Sequence, residues 1–496
     1  MSAVSVNDDK KVDLDVVLEK FSIYQKYHLQ TIALIFIAFL SNAIYCNQYV
    51  FVAESTPYRC VDAVNNSELS EAVCGTNESN TCSRWIYEDP RSFVAEFDLA
   101  CEEWKRTLVG TAHNFGYMVG LLIVGPLSDK FGRKTAAIIT GMLGGVFGLL
   151  RSFSTWFWFF IAMEFMEACI GDSCSPMFVL ALELSPSSKR LIFNMLVSYG
   201  YASGGILLAV FAWLVPDWRW FLRTVYSPAL LFFLYYFVMD ESPRWHLSNG
   251  RKPQAIKIIE DAAAKNNIKL DKNMLDNLSC EKEESTNMLK VLLKTLKSRK
   301  LRTRFFVCVV WWMTSTFVNY GMILNSVSLQ GDKYWNFALT QVIDAPGLVV
   351  VTYILLKFKR KKPLIFCFSF GAVMCLSQPF IPLDLPWLSI TFYMAGKLMS
   401  SFYFAITYIY TSELFPTYTR NSMHALCSSL GRVGSIVAQQ TPLLVVYWNG
   451  LPAFIFGSAA LFAALATCLV PDVSDDSLPN NVEEAEAIGQ KKEVAL

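Results

Sequence analysis

Charged residues are scarce in this sequence, at 17% of its 496 residues, and 43 lysines and arginines nearly cancel 42 aspartates and glutamates. A chain without a net charge of one sign is not expected to bind nucleic acid. The sequence also lacks the G-x-x-x-x-G-K-[ST] loop of ATP-driven pumps, the H-E-x-x-H zinc motif and the G-x-S-x-G nucleophile elbow. We therefore expect neither an enzyme nor a primary pump, and neither a cofactor nor a metal. Residues 1–20 lack the pattern of a signal peptide, so the first apolar segment is expected to remain in the protein.

Apolar residues dominate the chain: 53% are hydrophobic, 14% are aromatic and the mean hydropathy is +0.35. Such a composition is typical of proteins embedded in lipid. About 20 apolar residues in a helix cross the hydrocarbon core of a bilayer. Twelve segments meet that need, so we predict an all-α membrane protein with twelve transmembrane spans. The predicted spans, numbered in chain order, are 29–51, 107–127, 135–150, 156–182, 191–215, 220–239, 304–327, 335–356, 363–380, 387–412, 421–447 and 451–470.

Basic residues in short loops predict the orientation, because such loops stay in the cytoplasm. They are Lys130, Arg133 and Lys134 after span two, Lys189 and Arg190 after span four, residues 357–362 after span eight and Arg420 after span ten. All these loops are expected on the cytoplasmic side. Since the number of spans is even, both termini are predicted to be cytoplasmic too, and the loop 52–105 extracellular, in a protein of the plasma membrane.

The loop 52–105 has the features of an oxidising compartment. It contains four cysteines, Cys60, Cys74, Cys82 and Cys101, and two glycosylation sequons, at Asn65 and Asn77. An even number of extracellular cysteines predicts two disulfides, with three possible connectivities; the alternative is four unpaired thiols. The sequons agree with the orientation that the basic residues predict.

An internal repeat predicts the architecture. The segment E-L-S-P-S-S-K-R at 183–190, which closes span four, recurs as E-L-F-P-T-Y-T-R at 413–420, which closes span ten, at an offset of 230 residues. Because each half has an even number of spans, the two halves run in the same direction, as in the major facilitator fold. We expect a cytoplasmic segment 1–28, a first half 29–240, a cytoplasmic helical segment 241–303, a second half 304–471 and a disordered tail 472–496.

The stretch G-P-L-S-D-K-F-G-R-K at 125–134 joins spans two and three. Gly125 and Gly132 permit a close helix approach and a turn, and Asp129 and Arg133 are able to form a charge clamp between the helices. A clamp that holds in only one conformation is a gate. The alternative is a purely topological role for the basic residues.

This stretch resembles the signature G-x-x-x-D-[RK]-x-G-R-[RK] of major facilitator transporters. With E-S-P-R-W at 241–245, E-L-F-P-T at 413–417 and the pattern W-x-Y…E-F-x-L-x-C at the end of the large loop, the chain resembles the organic cation, anion and carnitine transporter family. The resemblance implies a gating set on the cytoplasmic face. Its members are Gly125, Asp129, Gly132, Arg133, Glu183, Arg190, Glu241, Arg244, Glu413 and Arg420.

Two departures from the family pattern affect these expectations. The second copy of the loop signature, K-F-K-R-K-K at 357–362, lacks its acid, so we expect the first half alone to carry the gating pair. Span four also lacks the arginine of the family near position 163 or 164 and has Glu164, Glu167 and Asp172 instead. In helical spacing these three acids share one face.

Ionisable residues inside a span cost several kcal/mol and are functional candidates by default. Besides the span-four acids, the candidates are Lys397 in span ten, Arg432 in span eleven and Asp344 in span eight. The alternative for each is a buried ion pair that only joins helices. Aromatic rings that could stack on an organic ion include Tyr320, Tyr403 and Tyr408. The resemblance implies that Arg432 and Lys397 match the anion and carnitine branches, because the cation branch has an aspartate where this chain has Arg432.

We therefore expect a secondary transporter of small organic ions that works by alternating access. Arg432 and Lys397 favour an organic anion or a carnitine-like zwitterion, since a buried cation binds a carboxylate. The alternatives are an organic cation held by Glu164, Glu167 or Asp344, and a receptor or scaffold that does not transport. A coupling ion, whether sodium, a proton or a counter-substrate, is left open.

Overall fold

A computed structural model of the chain describes residues 14–22, 24–61, 84–185, 190–278, 297–382, 384–472, 485–486 and 488. Every predicted span coincides with a helix or with a run of consecutive helices, and the predicted all-α fold is confirmed. Eight of the segments are long and apolar enough to cross a membrane by length and composition alone.

Five spans are single uninterrupted helices, three in the first half and two in the second, and the others are broken by a short bend or a 3₁₀ turn. In the first half the helices are Lys26–Asn47 with Tyr49–Val52, Glu103–Phe131, Arg133–Arg151, Phe157–Ile170 with Cys174–Leu184, Arg190–Leu214, and Trp218–Tyr226 with the 3₁₀ helix Ser227–Leu234 and Tyr235–Val238. In the second half they are Arg299–Asn325 with the 3₁₀ helix Ser326–Ser328, Lys333–Val342 with Asp344–Lys357, Lys361–Ser377 with the 3₁₀ helix Gln378–Phe380, Pro386–Glu413, Thr417–Ala438 with Thr441–Leu444, and Leu451–Thr467.

Glycines set the closest helix contacts in the first half. A Cβ atom at Gly120 would lie 2.4 Å from the Cys169 carbonyl oxygen, and one at Gly204 would lie 2.2 Å from the Leu40 carbonyl oxygen. Spans two and four, and spans one and five, therefore touch backbone to backbone. In lipid, where apolar surface gives no net drive for association, such close packing holds helices together.

The two halves have separate apolar cores. One cluster of buried side chains is formed almost wholly by spans one to six, and a second one by spans seven to twelve. A third, small cluster joins the helix Leu14–Leu18 to the segment after span six. Each half therefore has a hydrophobic core of its own.

The halves meet at the end of the bundle that carries the loop 52–105, called here the loop end. Lys333 of the second half donates to both carboxylate oxygens of Glu54 at 2.7 Å, and Phe51 stacks on Tyr334 with ring centroids 5.7 Å apart. Gln440 hydrogen-bonds Thr111 at 2.6 Å. At the opposite end, called the linker end, the described residues of the two halves make no mutual hydrogen bond, ion pair or ring contact.

The described part of the loop 52–105 contains a small hairpin-like sheet. Strands Tyr58–Val61 and Arg84–Tyr87 pair antiparallel, and the helix Phe93–Glu96 follows. The Tyr87 hydroxyl donates to Asp98 Oδ1 at 2.6 Å, and burial together with this contact raises the pKa of Tyr87 to about 12. Cys60 and Cys101 each take part in a disulfide. The other two cysteines of the predicted disulfides, Cys74 and Cys82, and the predicted glycosylation sites Asn65 and Asn77 lie outside the described residues.

The segment 241–303 contains the expected surface helices in its described part, at Pro243–Ser248, Lys252–Lys265 and Lys272–Asp276. Three residues of the tail beyond Asp472 are described, at positions 485, 486 and 488. The Ala485 and Ile488 carbonyl oxygens accept hydrogen bonds from Arg304 at 2.5 and 3.3 Å, and both side chains are buried. A buried arginine needs acceptors, and here the tail backbone supplies them.

Candidate functional site

The predicted clamp between spans two and three is present at the linker end. Arg133 Nη1 donates to Asp129 Oδ1 at 2.6 Å, and its Nε and Nη2 donate to Glu183 Oε1 at 3.2 and 3.1 Å. A further bond from Nη1 reaches the Ser128 carbonyl oxygen at 3.0 Å. One guanidinium thus joins spans two, three and four. Asp129 is mostly exposed, so Glu183 is the more shielded of the two acidic partners.

The expectation that only the first half carries such a pair is wrong. Arg360, which precedes span nine, donates through Nε and Nη2 to Glu413 Oε1 at 3.3 and 3.1 Å, and its Nη1 donates to the Leu355 carbonyl oxygen at 2.5 Å. This is the arrangement of Arg133, Glu183 and Ser128 repeated in the second half. The degraded loop motif lacks the counterpart of Asp129 and the signature glycines, but the carboxylate that Arg360 binds comes from the distant E-L-x-P motif, which the second half retains.

Gly132 is required by the backbone, whereas Gly125 is not. Gly132 has φ +100° and ψ 156°, a conformation that is almost restricted to glycine, and a Cβ atom there would lie 2.3 Å from Glu241 Oε2. Nothing lies within 4 Å of a Cβ atom at Gly125, so the predicted close approach at this position is wrong. Glu241 accepts from the backbone nitrogens of Lys134 at 3.0 Å and Thr135 at 3.4 Å, and so caps span three.

The other predicted gating residues divide into two groups. Arg244 pairs with Asp15 of the N-terminal helix at 2.5 Å, and the neighbouring Trp245 donates to the Asp129 carbonyl oxygen at 2.7 Å. The segment after span six is thereby tied to the first-half clamp. The side chains of Arg190 and Arg420 lie outside the described residues.

Lys397 and Asp344 form an ion pair inside the second half. Lys397 Nζ lies 2.9 and 2.8 Å from the two carboxylate oxygens of Asp344 and 3.2 Å from Ser401 Oγ. Lys397 is fully buried. The pair joins spans eight and ten, and the charge of Lys397 is already neutralised. The alternative of a helix-joining ion pair therefore describes Lys397 and Asp344 better than a free anion site does.

Arg432, by contrast, has no carboxylate bound to it within the described residues. Its Nη1 donates to the Tyr320 hydroxyl at 3.0 Å, and its guanidinium carbon lies 4.7 Å from the ring centroid of Tyr117 and 6.0 Å from that of Tyr320. Its Nε has no hydrogen-bond partner in the same part of the chain. Because Tyr117 belongs to span two and Tyr320 to span seven, the guanidinium lies where the two halves face each other.

Asp172 of the first half lies within electrostatic range of this guanidinium. Span four is interrupted between Ile170 and Cys174, and Asp172 Oδ1 accepts from the backbone nitrogens of Cys174 and Ser175 at 3.0 and 3.1 Å. Its carboxylate is buried and interacts electrostatically with Arg432. The interruption also separates Asp172 from Glu164 and Glu167, so the predicted single acidic stripe on one continuous helix is wrong.

Glu164 and Glu167 lie among other side chains of the first half. Glu164 is paired with Arg151 and accepts from His113 Nδ1 at 2.9 Å and Gln48 Nε2 at 2.8 Å. Glu167 Oε2 lies 3.5 Å from the same His113 nitrogen. Among the described residues, these donor atoms form the one histidine and acid group whose atoms all lie within 4.8 Å. Arg151 already occupies one of the carboxylates, which disfavours a metal ion.

The predicted aromatic residues have different surroundings. Tyr320 contacts Arg432, as described above. Tyr403 is buried against Phe368 with ring centroids 4.3 Å apart, so it packs spans nine and ten together. Tyr408 is half-exposed and lies edge-on to His424, at a centroid distance of 4.4 Å. Of the three, only Tyr320 contacts Arg432.

Comparison with known proteins agrees with this architecture. The family described as "Sugar (and other) transporter" matches residues 47–478. The "Organic cation/carnitine transporter 2" of Homo sapiens is 32% identical over 446 residues, which cover 86% of this chain and 79% of that protein. The "Organic cation transporter protein" of Drosophila melanogaster is 30% identical over 432 residues, 84% of this chain and 78% of the relative.

The chain belongs to the organic cation, anion and carnitine transporter family of the major facilitator superfamily. A third relative, "Solute carrier family 22 member 2" of Homo sapiens, is 29% identical over 89% of this chain and 80% of its own length. Among solved structures, the inward-open xylose transporter XylE of E. coli aligns with a TM-score of 0.63 at 19% identity, over 92% of this chain and 100% of that chain. This likeness supports the major facilitator fold.

Several residues of this family member were missed by reasoning from the sequence. Tyr117, His113, Arg151 and Gln439 form contacts between spans that no local motif indicates. A signal was available for two of them. His113 and Arg151 are ionisable residues near or within predicted spans, and such residues are functional candidates by default.

Proposed function

We propose that the protein is a secondary transporter of small organic ions, and that its substrates carry a carboxylate that binds Arg432. The observation that carries this proposal is the Arg432 guanidinium, with an unpartnered Nε–H and two tyrosine rings but no bound carboxylate in the described part of the chain. A guanidinium binds a carboxylate through two parallel hydrogen bonds, and the contact strengthens away from water.

Asp172 makes a zwitterion the better fit than a simple anion. A substrate with a carboxylate at Arg432 and a quaternary ammonium near Asp172 and Tyr117 would meet opposite charges at both ends. A simple anion would bring its charge close to the Asp172 carboxylate without compensation. The names of two relatives include carnitine and organic cations, and a substituted ammonium group is common to carnitine and to many organic cations.

Alternating access is the mechanism that this architecture favours. The halves contact each other at the loop end, whereas at the linker end their described residues make no mutual hydrogen bond, ion pair or ring contact. Rocking of the halves around a site at their boundary would expose Arg432 to each side in turn. The loop end is the extracellular end in this proposal, and the membrane is the plasma membrane.

A second candidate, an organic cation, is favoured by Asp172 itself. In that case the ammonium group pairs with Asp172, and Arg432 only balances the carboxylate. The two candidates predict opposite effects of removing the positive charge. A non-transporting receptor would bind the same ligands without moving them.

Uptake by purified protein in lipid vesicles tests these alternatives. The substrates are a labelled carboxylate, a betaine-type zwitterion and a quaternary ammonium ion, and the variants are Arg432→Asp and Arg432→Lys. Arg302→Asp, at an exposed arginine before span seven, is the matched control. Losing a buried ion pair with the ligand costs about 2 kcal/mol or more, so Arg432→Asp should reduce zwitterion uptake at least about thirtyfold.

The outcomes separate the candidates. Retained uptake of the quaternary ammonium ion by Arg432→Asp, with loss of the zwitterion, supports the proposal. Undiminished zwitterion uptake by this variant contradicts it and favours the cation site at Asp172. Saturable binding without uptake in every vesicle preparation would identify a receptor.

A further inference from the structure

A second polar cluster lies inside the first half, apart from the pair of Arg432 and Asp172. It consists of His113 from span two, Arg151 from the end of span three, and Glu164 and Glu167 from span four, with Gln48 contributed by span one. Exposed fractions of these side chains are 5% or less. Such a concentration of ionisable groups in a membrane span is expensive and needs a functional reason.

The charges of this cluster do not balance. Glu164 and Glu167 contribute two negative charges, and Arg151 contributes one positive charge to the pair with Glu164. With His113 neutral, one negative charge is left on Glu167. Burying an uncompensated charge costs so much that such a group tends to take up a counter-charge, most simply a proton.

Three buried atoms of the cluster lack partners. Glu167 Oε2, Gln48 Oε1 and Arg151 Nε have no hydrogen-bond partner among the described residues, although all three side chains are at least 97% buried. Buried polar atoms are nearly always satisfied, so an unsatisfied group requires an explanation. The unpartnered oxygen of Glu167 lies on the residue with the excess charge.

The groups facing Glu167 come from four spans. His113 Nδ1 is 3.5 Å from Glu167 Oε2, Arg151 and Tyr226 lie beside it from spans three and six, and Tyr45 and Cys46 face it from span one. Arg151 Nη2 donates to the Tyr226 hydroxyl at 2.6 Å. Arg151 is therefore held between Glu164 and Tyr226. His113, whose Nδ1 also lies 2.9 Å from Glu164 Oε1, is the nearest basic partner of Glu167.

A divalent metal ion fits this cluster poorly. The donor atoms of His113, Glu164 and Glu167 lie within 4.8 Å of one another, but the Arg151 guanidinium contacts Glu164 directly. A divalent cation would be repelled by the guanidinium and would have to displace it. A proton adds one charge, which is the amount that the cluster lacks.

The cluster is also connected to the second half by a chain of side-chain contacts. The rings of His113 and Tyr49 lie 5.3 Å apart, and the Tyr49 hydroxyl accepts a hydrogen bond from Gln439 Nε2 at 3.0 Å. Gln439 directly follows the helix Thr417–Ala438, which carries Arg432 about two turns earlier. A change at His113 thus reaches, through two side chains, the helix that holds the proposed substrate site.

We propose that Glu167 and His113 form a proton-binding site, and that one proton bound there is coupled to each substrate moved. The proton binds to the Glu167–His113 pair from one side of the membrane and leaves to the other, and no other bond is formed or broken. The hydrogen bond between Tyr49 and Gln439 links the protonation state of the Glu167–His113 pair to the relative position of the two halves. This inference rests on the transport function proposed above.

Vesicles containing the purified full chain provide the test, with a labelled betaine as the probe. Exchange between internal and external betaine, without any gradient, measures transport alone. Net accumulation under an imposed pH gradient, with the membrane potential clamped, measures coupling. For one proton per substrate, one pH unit should change the accumulation ratio about tenfold, and reversing the gradient should reverse the effect. A pH-sensitive dye in the vesicles reports proton movement when betaine is added.

The key variants are Glu167→Gln, Glu167→Asp and His113→Gln, with Glu88→Gln in the exposed part of the large loop as the control. We expect Glu167→Gln to exchange betaine but to lose accumulation and the dye response, whereas Glu167→Asp and Glu88→Gln keep both. If Glu167→Gln does not fold, the proton site is tested by the dye response of the wild-type protein and by the accumulation and dye response of Glu167→Asp.

Each remaining result has a definite meaning. Wild-type exchange without any effect of the pH gradient overturns the proton site and leaves the transport function standing. Betaine accumulation that follows an imposed sodium gradient instead of a pH gradient also overturns the proton site and leaves the transport function standing. Absence of exchange in every arm overturns the transport function and this inference together.

Discussion

Arg360 Nη2 lies 3.1 Å from Glu413 Oε1 in the second half, the same distance that separates Arg133 Nη2 from Glu183 Oε1 in the first. The two pairs occupy equivalent positions at the linker end of their halves. The pseudo-symmetry of the fold therefore extends to the interactions that tie its helices together, even though the sequence around Arg360 has lost most of the loop signature.

The first prediction is that the two pairs contribute equally to transport. A hydrogen bond to a charged group contributes about 1.5 kcal/mol or more, so the conformation that contains the pair should lose about tenfold in population when one partner is removed. Glu413→Gln and Glu183→Gln should each slow uptake per surface molecule by about that factor. Asp129→Asn, at the exposed partner, should have a smaller effect. A Glu413→Gln protein with unchanged uptake would contradict the equivalence of the two halves.

The second prediction concerns Lys397 and Asp344. Removing one member of a buried pair leaves an uncompensated charge, at a cost of about 3 kcal/mol. Lys397→Met should therefore lower the melting temperature of the detergent-purified protein strongly, whereas the double variant Lys397→Met/Asp344→Asn should recover much of the loss. Equal destabilisation by the single and double variants would show that the residues do not act as a pair.

The third prediction concerns the ion pair between Glu54 and Lys333 at the loop end. Both side chains are about one-third exposed, so the pair contributes at most about 1 kcal/mol to the conformation in which the halves touch there. Lys333→Glu should shift the balance of conformations up to about fivefold, measured by cysteine accessibility at the loop end. The charge swap Glu54→Lys/Lys333→Glu should restore the wild-type balance, and a swap that behaves like the single variant would exclude a direct pairing.

The fourth prediction uses the two glycines of the signature as matched variants. Gly132→Ala forces a side chain into a glycine-only conformation and against Glu241, which should cost about 1–3 kcal/mol. Gly125→Ala meets no neighbour within 4 Å and sits in a helix, so it should be neutral or slightly stabilising. Thermal unfolding of both variants checks this, and similar melting temperatures would contradict the structural distinction.

The fifth prediction concerns the orientation of the chain. If the loop 52–105 is extracellular, glycosidase treatment of protein expressed in animal cells should increase its electrophoretic mobility. The double variant Asn65→Gln/Asn77→Gln should abolish that shift, with Asn266→Gln, which lies in no sequon, as the control. A shift that persists in the double variant would exclude these two sequons as the sites.

The sequence by itself determined the architecture. Twelve apolar segments, basic loops on one side and the repeat of E-L-x-P at an offset of 230 residues predicted the two six-helix halves, and the helices follow the predicted spans. This was possible because span length is set by the bilayer thickness and because repeated motifs are visible in a linear string. The loop signature and three shorter motifs were also sufficient to predict the family to which the chain belongs.

Only the tertiary structure decided which charges act together. The sequence placed Lys397, Arg432 and Asp344 in three spans. The rotation and packing of the helices decide that Lys397 pairs with Asp344, and that no carboxylate of the described residues binds Arg432. The same holds for Glu164 and Glu167, whose partners Arg151 and His113 come from other spans, and for Asp172, which lies at a break in span four and interacts electrostatically with Arg432. Contacts between distant segments depend on helix packing, and helix packing leaves no periodic signal along the chain.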